Sequence, residues 1–330
     1  MRYVDKTIVG LSIAFVVLFC ADFFMAEWVR FIGLQSLARG AVALGLLVLW
    51  RTGLVSFGHA LYFGFGAYAA AMLTLIGYHD AFFLVFAGTL AAGVLAYLLG
   101  FLLRRYRAIF FALLNMAFSM ILYGVIVKTE ALGSTDGFSV LTPTFLGYAP
   151  RGEAVQTTLF IFTLVFTYII TVGVHLYMKT TLGGMSMAVR ENEIRVEYLG
   201  YSAEKVIHVK YVFSGLVAGF GGAIMALAIG QVDPDSMANW TVSGEFVFIT
   251  ILSGIGNVGA TYIGALVFEL IRTYAFEYAP LFWQFILGGS LLAIIMFLPD
   301  GIWSLFGRLR RSESSDSPES SSSSNKAPSP

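Results

Sequence analysis

Repeated runs of about twenty apolar residues constrain this chain more than any other feature. An α-helix rises ~1.5 Å per residue, so about twenty residues cross the ~30 Å hydrocarbon core of a bilayer. Charged residues make up only 12% of the chain, against roughly 25% in soluble domains. The sequence therefore predicts an all-α integral membrane protein. The clearest runs are residues 8–27, 31–50, 82–103, 108–128, 157–178 and 210–230.

Three further stretches complete a polytopic bundle of about ten transmembrane helices. Residues 54–78 are apolar but rich in glycine, and residues 281–299 form the last predicted span. Residues 241–276 are too long for one span and too short for two full spans. A glycine-rich break predicts that this stretch divides into spans 241–254 and 258–276. A re-entrant segment 241–254 is the alternative.

The distribution of basic residues predicts the orientation. Ten spans with an inner N-terminus place fifteen Lys and Arg residues on the inner side and four on the outer side. Cytoplasmic loops carry such an excess. Reading 241–276 as one span would move the basic residues at 308–311 to the outer side. Both termini are therefore predicted to be cytoplasmic, with the first helix an uncleaved span rather than a signal peptide.

Two polar segments lie outside the predicted spans. Residues 179–209 form the longest polar stretch between spans and are predicted to face the cytoplasm. Within them, Ser186 to Leu199 predicts a short helix that ends at Gly200. Residues 306–330 are rich in Ser and Pro, which predicts a disordered tail. The domain organisation is then a transmembrane domain, residues 1–305, followed by this tail.

The residues offer no set of groups for chemical catalysis. The chain has one cysteine and four histidines far apart in sequence, so no metal-binding spacing is present. The phosphate-binding pattern GxxxxGK[ST] is also missing from the sequence. We therefore expect no cofactor, no metal, no nucleic-acid partner and no enzymatic activity in this chain itself.

One run in segment 179–209 resembles the cytoplasmic coupling loop of ABC importer permeases, in particular the branched-chain amino acid (Liv-type) permease family. That family carries an Arg-Glu-Asn-Glu run followed by Leu-Gly. The matching residues here are the predicted ATPase-coupling residues: Arg190, Glu191, Asn192, Glu193, Leu199 and Gly200.

Further motifs in the same order as in the family strengthen the resemblance, which covers roughly residues 35–305. Departures occur at Val196 and Glu197, where small residues are common, and at Asp300, where a basic residue is frequent. The matching runs are Gly53 to Ala60 with Phe63-Gly64, Thr135-Asp136-Gly137, Gly254 to Gly259 with Gly264-Ala265, and Leu298 to Gly301.

The resemblance implies a permease that imports a branched-chain amino acid or a related small polar solute across a prokaryotic inner membrane. It implies four kinds of partner: a second homologous permease subunit, two cytoplasmic ATPase subunits, a periplasmic or lipid-anchored solute-binding protein, and membrane lipid. Urea, short amides and aromatic acids remain alternative solutes. An ion-coupled secondary transporter, a membrane-embedded enzyme and a scaffold protein remain alternative functions.

Polar residues within spans are the candidates for a substrate path, because ionisable groups are costly in a bilayer. These candidates are Arg39, Ser56, Asn115, Glu245 and Asn257. Asp22 and Glu269 are predicted to be interfacial, and His59 is predicted to be a structural hydrogen-bonding residue. The predicted helix-break and packing glycines are Gly53, Gly58, Gly64, Gly254, Gly256 and Gly259.

Overall fold

The computed structural model describes residues 5–254, 256–298 and 301–303. The predicted tail and the middle of the Leu298–Gly301 motif lie outside the described residues. Two short strands, β1 (Phe138–Ser139) and β2 (Gln231–Val232), pair antiparallel, and a 3₁₀ turn covers Glu130–Leu132. The helices are α1 Lys6–Asp22, α2 Glu27–Trp50, α3 His59–Leu75, α4 Ala81–Leu103, α5 Ala108–Lys128, α6 Glu153–Met178, α7 Thr181–Glu191, α8 Glu193–Tyr198, α9 Ala203–Ile229, α10 Pro234–Met237, α11 Trp240–Ser253, α12 Ala260–Tyr278 and α13 Trp283–Phe297.

The long apolar helices identify a membrane protein. Five of them, α2, α4, α5, α6 and α9, are long and apolar enough to cross a bilayer. The shorter apolar helix α3 and residues 283–294 of α13 are too short to meet the same length criterion. The prediction of an all-α membrane protein is therefore confirmed.

Glycine interrupts the helices at the two predicted places. Helix α2 ends at Trp50 and α3 begins only at His59. Helix α11 ends at Ser253 and α12 begins at Ala260. Gly53 and Gly254 have φ angles of +82° and +77°, in a region that L side chains rarely adopt. The predicted span 54–78 is therefore a shorter helix preceded by an irregular segment.

Helix α9 lies at the centre of the bundle and packs through small residues on α2, α3 and α4. A Cβ atom placed on Gly222 would lie 1.9 Å from the Phe63 carbonyl oxygen, and one on Gly215 would lie 2.4 Å from the Ala96 Cβ. In lipid, helices gain little by hiding apolar surface from each other, so such close backbone approach stabilises the packing. The small residues of α9 therefore hold the bundle together.

Replacing Gly222 with Ala is expected to destabilise the protein by about 1–3 kcal/mol, since an added methyl group must push apart the α3 and α9 backbones. The measurement is the thermal unfolding midpoint in detergent. The matched control is Gly124→Ala, because a Cβ at Gly124 would meet no atom within 4 Å. Equal midpoints for the two variants would contradict this account of the packing.

The stretch from β2 to α11 enters the bundle as an interrupted segment. Ser119, near the middle of α5, donates a hydrogen bond to the Ala238 carbonyl oxygen at 3.3 Å. A Cβ on Gly64 of α3 would lie 2.9 Å from the Met237 carbonyl oxygen. Helix α10 and the start of α11 therefore lie beside the middle of α5 rather than at its end. Irregular backbone at membrane depth is tolerated only beside protein or water.

Candidate functional site: a tethered surface segment and a buried charge network

Segment 179–209 contains two short helices rather than the single predicted helix, and its residues 203–209 belong to α9. Helix α7 ends at Glu191, and Asn192 then begins α8 by accepting a hydrogen bond from the Arg195 backbone N–H at 3.0 Å. Asparagine is a preferred residue at helix N-termini for this reason. Gly200 follows α8 with a φ of +85°, which confirms the predicted glycine-terminated end. The Arg-Glu-Asn-Glu motif thus spans the junction between α7 and α8.

A buried lysine attaches α7 to the central helix. Lys210 of α9 is only 1% exposed, and its ammonium group contacts the Ser186 hydroxyl and lies 3.4 Å from the Gly183 carbonyl oxygen. The same ammonium group lies 5.7 Å from the centre of the Tyr177 ring. A buried charge is stable only when such groups replace water. Lys210 therefore ties α7 to both α6 and α9.

Two further contacts attach the α7–α8 junction to the transmembrane helices. The Arg107 guanidinium, between α4 and α5, donates two hydrogen bonds to the Glu193 carboxylate at 2.5 and 3.0 Å. Bidentate pairs of this kind combine charge with fixed geometry. Between α2 and α3, a Cβ on Gly53 would lie 3.2 Å from Arg190 Cγ. The junction therefore packs against the α2–α3 and α4–α5 connections.

Asp5, which precedes α1, contacts two residues at the C-terminal end of α6. Asp5 accepts a hydrogen bond from the Lys179 ammonium, and its carboxylate lies 2.8 Å from His175 Nε2. The Lys179 contact, aided by His175, lowers the pKa of Asp5 to about 2. A lowered carboxyl pKa stabilises the fold above the ordinary value and loses that effect only as pH falls through about 2. The contact therefore persists at neutral pH.

The solvent-exposed face of helices α7 and α8 carries apolar side chains among charged ones. Ile194, Tyr198 and Leu199 are 64%, 88% and 73% exposed. Glu191 and Arg195 are also exposed beside them. Apolar residues grouped on a surface and surrounded by polar ones are typical of protein contact sites. This face has the composition of a docking surface.

The second feature is a network of two arginine and two glutamate side chains inside the bundle. The Arg39 guanidinium of α2 contacts the Glu245 carboxylate of α11, and its Nε lies 2.8 Å from Glu269 Oε1 of α12. Arg272 Nη1, also on α12, lies 3.8 Å from Glu245 Oε2. Two positive and two negative charges leave the network formally neutral. Neutrality and mutual contact are what allow ionised groups to persist inside a membrane bundle.

The predicted interfacial position of Glu269 is wrong, whereas that of Asp22, at the end of α1, stays a prediction. Glu269 lies near the middle of α12 and is 2% exposed, in contact with Arg39. Asp22 is fully buried at the end of α1, where its carboxylate accepts a hydrogen bond from Arg30 Nε at 2.7 Å. In both cases an arginine on α2 compensates the charge, which removes the need for contact with water.

A third set of buried polar groups joins α3, α5 and α9. The Tyr62 hydroxyl donates to the Tyr211 hydroxyl at 2.5 Å, and the Tyr211 hydroxyl in turn donates to the Asn115 side-chain oxygen. His59 Nε2 lies 2.6 Å from the Ser214 hydroxyl, as expected for a structural histidine. These hydrogen bonds join three helices at fixed positions, while His59 Nδ1 is buried without a hydrogen-bond partner.

The five path candidates fall in three places. Arg39 and Glu245 belong to the charge network. Ser56 is buried and accepts a hydrogen bond from the Gly58 N–H at 3.3 Å, while a Cβ on Gly58 would lie 2.3 Å from the Asn115 carbonyl oxygen. Ser56 and Asn115 are therefore both adjacent to the α2–α3 break.

Asn257 lies apart, in the turn between α11 and α12. Its side-chain oxygen accepts a hydrogen bond from the Gly259 N–H at 2.9 Å, so Asn257 stabilises the turn in which it lies. A Cβ on Gly256 would lie 3.6 Å from Trp303. The turn thus contacts the chain that follows α13.

Several residues of these features were not found from the sequence. Arg272 is one of the four basic residues that the predicted orientation assigns to the outer side, and it lies within α12, three residues after Glu269 and on the same side of that helix. That spacing was the available signal. Lys210 and Arg107 were counted only for orientation, and nothing in the sequence indicated their partners in segment 179–209.

Comparison with known proteins finds transport permeases that are similar in sequence. Residues 31–295 match the family model described as "Branched-chain amino acid transport system / permease component". The chain is 27% identical to the high-affinity branched-chain amino acid transport system permease protein LivM of Escherichia coli K12 and 26% identical to LivM of Salmonella typhimurium LT2, in each case over 293 residues and 79% of this chain. The chain spans 66% of the length of each of these relatives.

A more distant similarity extends to a sugar transport system. The chain is 24% identical to the xylose transport system permease protein XylH of Haemophilus influenzae, over 41% of this chain and 37% of that protein. No solved structure matches the chain significantly. Because the family model covers most of its length, the chain belongs to the branched-chain amino acid transport system permease family.

Proposed function

We propose that the chain is the permease subunit of an ATP-binding cassette importer that carries a branched-chain amino acid or a related small polar solute. ATP would be hydrolysed by two separate ATPase subunits, so the chain needs no cofactor of its own. A second homologous permease subunit and a periplasmic or lipid-anchored binding protein complete the assembly. Family membership and the LivM relatives support this proposal.

The exposed apolar face of α7 and α8 is the observation that carries the proposal. A permease that is driven by ATP hydrolysis on other subunits needs a surface on which those subunits can dock. Tyr198 and Leu199 are largely exposed there, while the opposite face of the same helices is tethered to four transmembrane helices or their connections. We propose that the ATPase subunits dock on this face, with Arg190 to Glu193, Leu199 and Gly200 as the coupling residues.

The tethers give a route from the docking face into the bundle. Closure of the ATPase subunits would move α7 and α8, and Arg190 would carry that movement to Gly53 at the α2–α3 break. Gly58, at the other end of the break, packs against Asn115 of α5. A bundle with two packed arrangements could then be biased towards one by ATP binding.

The topology that fits this function has ten membrane crossings. Helices α1, α2, α3, α4, α5, α6, α9, α11, α12 and α13 would each cross or enter the bilayer, with α10 and α11 together forming one interrupted crossing. Both termini and segment 179–209 would then lie in the cytoplasm, and the protein would reside in a prokaryotic inner membrane. Residues 306–330 would extend from the transmembrane domain as a tail.

We propose that the substrate path passes the polar groups inside the bundle. Arg39 and Glu245 would act at the charge network, and Ser56 and Asn115 would respond to movement at the α2–α3 break. Asn257 and the glycines Gly254, Gly256 and Gly259 would allow α11 and α12 to move relative to each other. Weak contacts along such a path favour release as well as entry.

Reconstitution in proteoliposomes tests the proposed function. We expect uptake of radiolabelled L-leucine to require the binding protein, both ATPase subunits and internal ATP, and to be insensitive to ionophores. Uptake that proceeds without the ATPase subunits and stops when an ion gradient is dissipated would instead favour a secondary transporter. Parallel assays with urea, a short amide and an aromatic acid distinguish the alternative solutes.

A further inference from the structure

The buried charge network is asymmetric, and one edge of it is open. The Arg39 and Glu269 side chains are 7% and 2% exposed, whereas those of Glu245 and Arg272 are 15% and 30% exposed. The closed half is held by a contact of 2.8 Å between Arg39 and Glu269. The open half thus presents one carboxylate and one guanidinium side by side.

The pairing at the open edge is loose. Arg272 Nη1 and Glu245 Oε2 are 3.8 Å apart, which is too far for a hydrogen bond. Arginine carries five N–H donors that match a carboxylate in a bidentate arrangement. Arg272 therefore retains donors for another anion, while Glu245 keeps one oxygen, Oε1, outside the ion pairs that the structure shows.

The depth of Arg272 makes its exposure informative. It is residue 13 of the 19 in α12, which at ~1.5 Å per residue places it about 9 Å inside the end of the helix. In the proposed ten-crossing topology, an exposed guanidinium at that depth would face protein or a water-filled cavity rather than lipid, because ionised groups in hydrocarbon are costly. The open edge would then be a polar surface beside the substrate path.

One exposed apolar side chain lies on the same side of α11 as the Glu245 carboxylate. Phe248 is 39% exposed and follows Glu245 by three residues. Residues three apart on a helix lie on the same side.

We infer that Glu245 and Arg272 form a recognition point for zwitterionic amino acids on the substrate path. The solute carboxylate would bind the Arg272 guanidinium and its ammonium group would bind the Glu245 carboxylate, opening the loose ion pair between them. Arg39 acts as a positioning residue that contacts the Glu245 carboxylate, and Glu269 in turn contacts Arg39. This inference rests on the proposed import function and names the charge pattern of its solute.

The test uses the complete transporter in proteoliposomes, with L-leucine as the probe. The variants are Arg272→Gln, Glu245→Gln, the double variant with both changes, and Arg272→Lys. We expect each neutral variant, including the double variant, to reduce leucine uptake per assembled complex at least tenfold. The double variant, which removes one charge of each sign, should keep the thermal unfolding midpoint of the wild type. Arg272→Lys, which keeps the charge, should retain at least a third of the uptake.

A matched control is the partly exposed ion pair between Arg104 and Glu204, whose Nε and Oε2 atoms are 3.2 Å apart. The double variant Arg104→Gln with Glu204→Gln should retain uptake. If the Glu245→Gln and Arg272→Gln double variant restores the uptake that either single change removes, the pair only balances charge and the inference is overturned. If the wild-type complex transports no zwitterionic amino acid, the proposed solute and this inference both fail. Uptake by the wild type alone shows this, before any variant is compared.

Discussion

The Arg39→Gln variant is expected to lose most of its folded protein. Arg39 lies between Glu245 and Glu269, and its removal leaves two carboxylates close together inside the bundle with only the more distant Arg272 to compensate them. Removing one partner of a buried ion pair typically costs about 3–5 kcal/mol. The measurement is the yield of monodisperse protein in detergent together with its thermal unfolding midpoint.

A compensating change separates the loss of charge balance from the loss of packing. The double variant Arg39→Gln with Glu269→Gln removes one charge of each sign and should recover much of the folded yield. The exposed-residue control Arg151→Gln should behave as the wild type. A folded yield for Arg39→Gln equal to that of the wild type would show that the network contributes little to stability.

The Arg190→Glu and Glu191→Arg double variant is expected to fold normally yet lose transport. Both side chains are exposed at the end of α7, so their reversal changes the proposed docking face and the Arg190 contact at Gly53, while the Lys210 and Arg107 contacts stay in place. Charge patterns across an interface fix register and suppress wrong pairings. We expect leucine uptake and binding-protein-stimulated ATPase activity to fall together by at least tenfold.

The matched control for this variant reverses two charges at the start of α6, the end of that helix that is far from segment 179–209. Arg151→Glu with Glu153→Arg changes two exposed charges at the start of that helix, away from segment 179–209. It should leave both activities within twofold of the wild type. Unchanged uptake and ATPase stimulation in the Arg190 and Glu191 variant would remove these residues from the coupling mechanism.

The helices and their interruptions could be predicted from the sequence because both depend on local features. A run of apolar residues such as 82–103 has the length that a bilayer requires, and helix α4 covers nearly the same residues. The break at Gly53 was visible because glycine clusters tolerate backbone that other residues avoid. The division of α7 from α8 at Asn192 was missed, since one asparagine inside a helical pattern is also compatible with a continuous helix.

The contacts of the candidate site could not be predicted, because they join residues distant in sequence. Arg39 and Glu245 are separated by 206 positions, and only the fold brings α2 beside α11 and α12. The tethers of segment 179–209 depend in the same way on the positions of Lys210 and Arg107. Sequence reasoning identified Arg39 as costly in a membrane but could not name the carboxylates that compensate it.

The most direct test of the central claim asks which side of the membrane segment 179–209 faces. The Tyr198→Cys variant, in a chain whose single Cys20 is replaced by Ser, would be treated with a membrane-impermeant maleimide, with Arg151→Cys as the outer reference. The account predicts that Tyr198→Cys is labelled in inside-out vesicles freed of ATPase subunits and not in intact cells, with the opposite result for Arg151→Cys. Labelling of Tyr198→Cys in intact cells would contradict docking of a cytoplasmic ATPase on this segment.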